Sequence, residues 1–392
     1  MAILLKMESR KSMRPLTKFL FGFLLVFVSI NVAIWITGYT YLYKTLLYTY
    51  PDIDDLGIFE SRMVDSDQAQ EWPVGVDYNK KKLPAETNAE LEKTESVSFL
   101  IIKNDSIRYE QYWDHYEPSS LSNSFSVAKS IVGLLIGIAA DEGKLSLEDP
   151  VGKYLPHFNE GKNASLKIRH LMMMSSGLNW NESYSSLFSQ TTEAYYGRKL
   201  DNQMDRLEVV TEPGRTFNYM SCNTELLGMI LEKASGMKLS EYASQKLWKR
   251  VQAMHSAYWS LDQSDGIEKA YCCFYADARD FARIGQLMLD SGKWKGANVV
   301  SASFIREMVT PKNLVDEDGS LLNYYGYQCW LTEFKGHQIF YARGILGQYI
   351  VVIPDQRMVL VRLGKKRGEK IPNNQYSDMI AYVNGALQAY GN

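Results

Sequence analysis

Residues 126–144 read SVAKSIVGLLIGIAADEGK, an apolar run with few interruptions that ends at Gly143. Its apolar residues occupy nearly every side of a helix, and this pattern predicts a long, buried α-helix. Upstream, the runs VSFLIIK and SIRYEQYW flank the turn-forming pair Asn104-Asp105. Two strand-like runs around such a pair predict a β-hairpin immediately before the helix.

Farther along the chain, the hydrophobic pattern changes from helical to strand-like. Residues from about 145 to 320 alternate helical patterns with Gly, Pro and Asn, whereas YYGYQCWLTEF, HQIFYAR, QYIVVIP and RMVLVRLG predict strands. An amphipathic helix is expected at about 375–390. Strands at both ends of a helical middle predict an α/β (α+β) fold, in which the chain termini build one antiparallel sheet.

The N-terminal region carries a candidate membrane segment. Residues 19–43 contain no charged side chain, and this length is enough to span a hydrocarbon core of about 30 Å. A cleaved signal peptide is the alternative, although its apolar region is shorter and ends at a small-residue site that we do not find here. The charged residues before this segment are basic except for Glu8, namely Lys6, Arg10, Lys11, Arg14 and Lys18.

This charge distribution predicts a single-pass membrane protein with a cytoplasmic N-terminus and its main domain on the periplasmic or extracellular side. The expected organisation is a cytoplasmic tail at 1–18, an anchor at 19–43, a tether and peripheral segment at 44–95, and the main folded domain at 96–392.

Composition and motifs exclude several classes of function. The chain has 392 residues, 43 Lys+Arg and 45 Asp+Glu, so its net charge of −2 argues against nucleic-acid binding. Histidines show no metal-ligand spacing, and nucleotide-binding motifs are absent, so we expect no metal and no cofactor. Four scattered cysteines do not form a disulfide framework, and the neighbours Cys272 and Cys273 are expected to be poor partners for each other.

The pair Ser126 and Lys129 forms an S-x-x-K motif at the start of the buried helix. In the first helical turn, free backbone N–H groups and the positive end of the helix dipole can stabilise an oxyanion. Lys129 lies one turn later on the same face, where burial would lower its pKa and make it a base. The alternative is that Ser126 caps the helix and Lys129 is solvated. A second S-x-x-K sequence, Ser235 with Lys238, contains Gly236, which is expected to end a helix at this point.

A second motif follows the Pro213-Gly214 turn, in the segment FNYMSCNTELLG at 217–228. Tyr219 and Ser221 form a Y-x-S motif where an extended run enters a helix. Tyr219 could instead be a buried tyrosine bonded to the backbone, and Ser221 could be either a helix cap or a hydrogen-bonding support.

Together, these motifs resemble those of the β-lactamase and penicillin-recognising serine hydrolase superfamily, class C-like, and especially its 6-aminohexanoate-dimer hydrolase branch. Ala342-Arg343-Gly344 resembles the third motif of that superfamily, although Ala342 stands where β-lactamases place a lysine. Alternation along the strand could point Arg343 away from the cleft. The resemblance covers about 95–385 and implies a β-lactamase/transpeptidase-like antiparallel sheet flanked by helices, with an all-helical subdomain.

The resemblance also implies a mechanism. Ser126 would form an acyl-enzyme, Lys129 and Tyr219 would transfer the protons, and the N–H groups of Ser126 and Ile345, which follows Gly344, would form the oxyanion hole. It further implies a supporting or substrate-binding role for Ser221, Trp180, Glu182, Tyr184 and Arg343, although Trp180 could equally belong to the core.

The expected function is therefore a membrane-anchored serine hydrolase that cleaves an ester or amide in a small molecule or in the cell envelope. The alternatives are a peptidoglycan DD-peptidase or β-lactamase-type enzyme, and a ligand-binding homologue without catalysis. The sequence indicates neither the physiological substrate nor the oligomeric state.

Overall fold

The computed structural model describes residues 15–67, 69–316 and 318–391, which fall into two compact units divided between Thr49 and Tyr50. Residues 1–14 of the expected cytoplasmic tail lie outside the described residues. The first unit contains helices α1 (Pro15–Thr37) and α2 (Tyr41–Tyr48).

Among the helices that the structure describes, α1 is long and apolar enough to cross a membrane. Its 23 residues span about 35 Å at 1.5 Å per residue, slightly more than a hydrocarbon core. The expected segment 19–43 does not form one helix, because Gly38 adopts a φ of 78° and ends it. A helix of this kind near the N-terminus is consistent with an anchor and with a signal sequence.

In the second unit, the described strands outside the central sheet are short. They are β1 (Ser61–Val64), β4 (Ser122–Asn123), β5 (Ala257–Ser260), β6 (Phe274–Ala276), β7 (Lys293–Trp294), β8 (Ala297–Asn298), β13 (Lys370–Ile371) and β14 (Gln375–Tyr376). The strands of the central sheet are β2 (Ser96–Lys103), β3 (Ser106–Tyr112), β9 (Trp330–Phe334), β10 (His337–Gly344), β11 (Gln348–Ile353) and β12 (Met358–Gly364).

The central sheet confirms the prediction from the two ends of the chain. Within the described residues it has the order β3-β2-β12-β11-β10-β9, and every neighbouring pair is antiparallel. The predicted hairpin β2–β3 turns at Asn104 and Asp105, which both adopt positive φ values of 50° and 60°. Asn and Asp tolerate this left-handed conformation better than most residues.

The described helices of the second unit are α3 (Ala85–Lys93), α4 (Val127–Asp141), α5 (Ile168–Met172), α6 (Gln190–Tyr196), α7 (Leu200–Met204), α8 (Ser221–Ser235), α9 (Leu239–Ala243), α10 (Ala278–Leu289), α11 (Ala302–Met308) and α12 (Ser377–Tyr390). A π-helical turn, Ser244–Trp248, continues α9.

Helices cover both faces of the central sheet. On one face, Gly285 of α10 packs so closely on Val359 and Ile350 that a Cβ atom would lie 2.4 Å from the Val359 side chain. On the opposite face, the ring of Tyr382 in α12 contacts Phe99 at 5.7 Å between ring centres. The predicted helix α4 is buried along almost its whole length, as its apolar pattern requires.

A second, smaller sheet was not predicted. Its order is β1-β5-β6-β4, so it joins strands that are far apart in the sequence. The region 44–95, expected to be a tether and a peripheral segment, contributes β1 to this sheet and also helix α3, and from Tyr50 onward it belongs to the compact second unit. Strand β4 pairs with β6 and ends three residues before Ser126, so this sheet anchors the segment that leads to the serine.

Candidate active site

Ser126 stands at the entrance to helix α4 and is half-buried. The preceding residue, Phe125, is buried and has a φ of 45°, a left-handed conformation that residues other than Gly rarely adopt. The backbone N–H of Phe125 donates to Asn123 Oδ1 at 2.9 Å, which holds this tight turn. The turn thus presents the Ser126 hydroxyl at the N-terminal end of a buried helix.

Lys129 makes three hydrogen bonds inside the domain. Its Nζ donates to Ser126 Oγ at 3.0 Å, to Ser221 Oγ at 3.2 Å and to the Tyr271 carbonyl at 2.8 Å. The side chain is only 1% exposed, and this burial lowers the pKa of Lys129 to about 8, with nearby Glu182 acting in the opposite direction. A sizeable fraction of Lys129 is therefore a neutral amine near pH 8, available as a base.

Tyr219 approaches the same serine from another element. Its hydroxyl hydrogen-bonds with Ser126, and Lys129 Nζ lies 5.2 Å from the centre of its ring. Burial raises the pKa of Tyr219 well above its ordinary value, and the hydrogen bond with Ser126 and the charge of Arg343 oppose this only in part. The phenol therefore keeps its proton at neutral pH and can donate it. The Tyr219 ring rests against Trp330 at 5.2 Å between centres.

Ser221 joins Lys129 to the carboxylate of Glu182. The backbone N–H of Ser221 donates to Glu182 Oε2 at 2.7 Å, and its hydroxyl donates to Oε1 at 2.8 Å. Ser221 is the first residue of α8, and its side chain does not cap that helix. Of the two possibilities left open by the sequence, the structure therefore favours the hydrogen-bonding support.

The carboxylate of Glu182 accepts hydrogen bonds from several side chains around it. The Trp180 indole N–H donates to Glu182 Oε2 at 2.6 Å, and the Tyr184 hydroxyl donates to Oε1. Trp180 is buried, whereas Tyr184 is 41% exposed, so of these two rings Tyr184 is the one available to a ligand. These contacts orient the carboxylate toward Ser221 and Lys129, a role that the spacing of the sequence alone did not reveal.

The third motif reaches the turn that carries the serine. Gly344 ends strand β10, and a Cβ atom there would lie 2.4 Å from the Ser124 carbonyl oxygen. Only glycine permits this approach without a shift of the backbone. Ile345 begins the short 3₁₀ turn Ile345–Gly347, directly after this contact. Its assignment as an oxyanion donor stays a prediction.

Arg343 lies on the sheet face opposite to Ala342 and Gly344, because alternate residues of a strand point to opposite faces. Its guanidinium carbon nevertheless lies 3.7 Å from the centre of the Trp330 ring, which packs on Tyr219. Arg343 therefore borders the site through Trp330, an aromatic residue that the sequence motifs did not single out.

The prediction for the neighbouring cysteines was wrong. Cys272 and Cys273 are bonded to each other, and both are buried, whereas Cys222 and Cys329 are free and buried. The separation that paired cysteines usually have disfavours a bond between neighbours, but here a turn of the chain brings the two side chains together. Tyr271, whose carbonyl oxygen accepts from Lys129, directly precedes this pair.

The second S-x-x-K copy behaves as the sequence predicted. Ser235 ends helix α8, and Gly236 follows it with a φ of 72°, the left-handed geometry of a helix stop. Lys238 forms an ion pair with Glu232 at 2.6 Å, and its side chain is 42% exposed. This lysine lacks the burial that lowers the pKa of Lys129.

Among the described residues, His255, Asp277 and Asp280 have ligand atoms close enough to hold a metal ion. Their oxygens already accept hydrogen bonds. Asp277 accepts from the Asp280 N–H and faces His255 Nδ1, while Asp280 accepts from the backbone of Met254 and His255. Arg283 also donates to Asp280 at 2.7 Å, so this cluster stabilises the start of α10 and leaves little room for a cation.

The chain is similar in sequence to a known hydrolase and in structure to solved proteins of related description. The 6-aminohexanoate-dimer hydrolase of Paenarthrobacter ureafaciens is 29% identical over 293 residues, covering 70% of this chain and 73% of that protein. A Bacillus anthracis structure described as a 6-aminohexanoate-dimer hydrolase superposes with a TM-score of 0.75 at 21% identity, covering 88% of this chain and 93% of that one. A family VIII carboxylesterase superposes with a TM-score of 0.63 at 15% identity, covering 81% and 99%.

The two structural neighbours support the fold. The family is shown by a match to a sequence model of a protein family, which extends over the whole domain. The family model described as Beta-lactamase matches residues 85–377, well over half of the chain and the whole stretch from Ser126 to Gly344. With its antiparallel sheet flanked by helices and its matching sequence, this protein belongs to the beta-lactamase family of serine hydrolases.

Proposed function

We propose that this protein cleaves an ester or amide bond through an acyl-enzyme formed on Ser126. The observation that carries the proposal is the buried contact of 3.0 Å between Lys129 Nζ and Ser126 Oγ. A serine hydroxyl is a weak nucleophile until a neighbouring base takes its proton. Lys129 fits this role, because burial lowers its pKa to about 8 while the hydrogen bond aligns the two groups.

In acylation, Ser126 Oγ attacks the carbonyl carbon of the substrate and its proton passes to neutral Lys129. The tetrahedral intermediate then collapses, the bond to the leaving group breaks, and the leaving group receives a proton. Tyr219 supplies that proton, because its hydroxyl contacts Ser126 and keeps its proton at neutral pH. The Lys129 ammonium, whose Nζ lies 5.2 Å from the centre of the Tyr219 ring, then returns a proton to the tyrosinate, so that both groups regain their starting protonation states.

In deacylation, water attacks the acyl carbon and gives up one proton to Lys129 or Tyr219, the two groups that transferred protons in acylation. The bond to Ser126 Oγ breaks, and the serine regains its proton as the carboxylic acid leaves. The oxyanion of both tetrahedral intermediates is assigned to the backbone N–H groups of Ser126 and Ile345. This assignment is supported by the close packing of Gly344 on Ser124, which draws the two segments together.

The comparisons support an ester or amide as the substrate. The 29% identical relative is named for a dimer of 6-aminohexanoate, whose units are joined by an amide, and one structural neighbour is a carboxylesterase. Ala342 is buried and apolar, so this position offers no cation to a substrate carboxylate. An ester or amide whose binding needs no cation at this position is therefore the substrate class that we propose to screen first.

We assign the catalytic domain to the outer side of the membrane, held there by helix α1. The proposal rests on the length of α1 and on the excess of basic residues before it. The substrate would then be encountered in the cell envelope or outside the cell.

The chain contains its own control for a test of the proposed nucleophile. Full-length protein in detergent should hydrolyse p-nitrophenyl esters, and Ser126→Ala should lower kcat by about 10³-fold or more. Ser235→Ala, in the second S-x-x-K copy, should retain the wild-type rate. Equal rates in wild type and Ser126→Ala, with both proteins folded, would refute the proposal.

A further inference from the structure

The amine of Lys129 is held by a turn that contains the bonded cysteines. Lys129 Nζ donates to the Tyr271 carbonyl at 2.8 Å, and Cys272 and Cys273 follow directly in the chain. We infer that the Cys272–Cys273 disulfide positions the catalytic lysine, by fixing the Tyr271 carbonyl oxygen against Lys129 Nζ. The inference rests on the proposed function, in which Lys129 is the base.

The surrounding hydrogen bonds show how the turn is fixed. The Cys272 N–H donates to the Lys269 carbonyl at 3.0 Å, and the Trp259 indole donates to the Cys272 carbonyl at 2.9 Å. The Ser260 N–H donates to the Cys273 carbonyl at 3.0 Å. The turn is thereby tied to strand β5 on one side and to Lys129 on the other.

Cys273 is the position in this turn at which the backbone is disfavoured. Its φ is 63°, in the left-handed region that a residue with a Cβ atom occupies only when its surroundings enforce it. A covalent ring between adjacent side chains restricts the torsions of both residues and so enforces this conformation. Without the ring, Cys273 can relax to an ordinary φ. The adjoining Tyr271–Cys272 peptide, whose carbonyl oxygen accepts from Lys129, then rotates as well.

The consequence for Lys129 follows from the geometry of an amine. A neutral lysine has two N–H donors and one lone pair. When these donors are engaged by Ser221 Oγ and the Tyr271 carbonyl, the lone pair is left facing the Ser126 hydroxyl. Loss of the Tyr271 acceptor lets the amine rotate, and proton transfer from Ser126 becomes less frequent.

The same acceptor also favours the protonated form of Lys129, because an ammonium N–H donates a stronger hydrogen bond than a neutral amine does. Its loss should therefore move the pKa of Lys129 lower, and with it the acid side of the pH profile. A variant that merely destabilises the fold would lower the active fraction without this displacement.

The disulfide can be removed chemically as well as by mutation. Dithiothreitol, a dithiol, breaks the sulfur–sulfur bond by supplying two electrons and two protons. Cys272 and Cys273 become thiols, and the reagent closes to its own disulfide. Reduction of the wild-type protein should therefore reproduce the kinetic change seen in a variant without the two cysteines.

The experiment begins with the full-length protein in detergent, denatured and alkylated without reductant. Its intact mass should show two modified cysteines, Cys222 and Cys329, rising to four after reduction. Four modified cysteines before reduction would overturn the inference.

The double variant Cys272→Ala/Cys273→Ala is then compared with Cys329→Ala, which should retain the wild-type kcat. We expect kcat of the double variant to fall about tenfold, the factor that one ordinary hydrogen bond is worth, with KM little changed. The acid side of its pH profile should lie at lower pH, and dithiothreitol should have no further effect on it.

Two negative results remain distinguishable. An absence of Ser126-dependent turnover in the wild type would refute the proposed function itself. Ser126-dependent turnover that changes neither in the folded double variant nor in reduced wild-type protein would refute only the role of the disulfide. If the double variant does not fold, reduced wild-type protein, with its circular dichroism spectrum recorded, decides between these results.

Discussion

Lys129 donates a hydrogen bond to Ser126 Oγ at 3.0 Å from a side chain that is only 1% exposed. One turn of helix α4 separates the two residues, so their proximity follows from local helical geometry. The burial of Lys129, in contrast, comes from α8 and from the Tyr271 turn, which supply the other two acceptors. The pair thus combines a local spacing with an environment built from distant parts of the chain.

The pH dependence of turnover should report the protonation of Lys129. In the proposed mechanism the protonated form of Lys129 cannot accept the serine proton, so kcat/KM should rise with pH through an apparent pKa near 8. Hydrolysis of a neutral ester, measured from pH 5 to 9, tests this expectation. A profile that is flat across pH 8 would contradict the assignment of Lys129 as the base.

Replacement of Lys129 by methionine keeps most of the side-chain volume but removes the amine. We expect Lys129→Met to lower kcat by about 10²- to 10⁴-fold, the usual contribution of a positioned general base. Lys238→Met, in the exposed second copy, is the matched control and should keep the wild-type kcat. Circular dichroism of both variants verifies that the fold is intact.

Glu182 should tune the same lysine from a distance. Its negative charge raises the pKa of Lys129, so Glu182→Gln should move the acid side of the pH profile to lower pH. The substitution also weakens the hydrogen bonds from Ser221, and kcat should fall. An unchanged pH profile in a folded Glu182→Gln variant would show that the carboxylate does not act on Lys129.

Gly344 should tolerate no side chain. An added Cβ atom would meet the Ser124 carbonyl oxygen at 2.4 Å, so Gly344→Ala must shift either β10 or the turn before Ser126. Such overpacking typically costs about 1–3 kcal/mol of unfolding free energy, and here it should also lower kcat. Gly57→Ala, where the space is open, is the control for chemical denaturation and kinetics. Equal stability of the two variants would contradict the close approach.

The parts of the molecule that the sequence predicted well depend on local patterns. The buried helix α4, the β2–β3 hairpin at Asn104-Asp105 and the four C-terminal strands each have a continuous periodic signal. The motif residues Ser126, Lys129, Tyr219 and Ser221 were found by spacing and resemblance, and the structure brings them together.

The parts that the sequence did not predict depend on contacts between distant segments. Strands β1, β4, β5 and β6 are two to four residues long, too short to show a period of two, and they pair across gaps of many residues. The acceptor role of the Tyr271 carbonyl belongs to the backbone and therefore has no sequence signature. The Cys272–Cys273 bond likewise depends on a turn that spacing alone does not reveal.

Whether Ser126 is an activated nucleophile can be tested by reaction of the folded, full-length protein with a fluorophosphonate, followed by intact mass and peptide mapping. An activated serine attacks this reagent, whereas an ordinary hydroxyl does not. We expect a single adduct on Ser126 that disappears in Ser126→Ala and persists in Ser235→Ala. A folded wild-type protein without an adduct, or an adduct that persists in Ser126→Ala, would contradict this expectation.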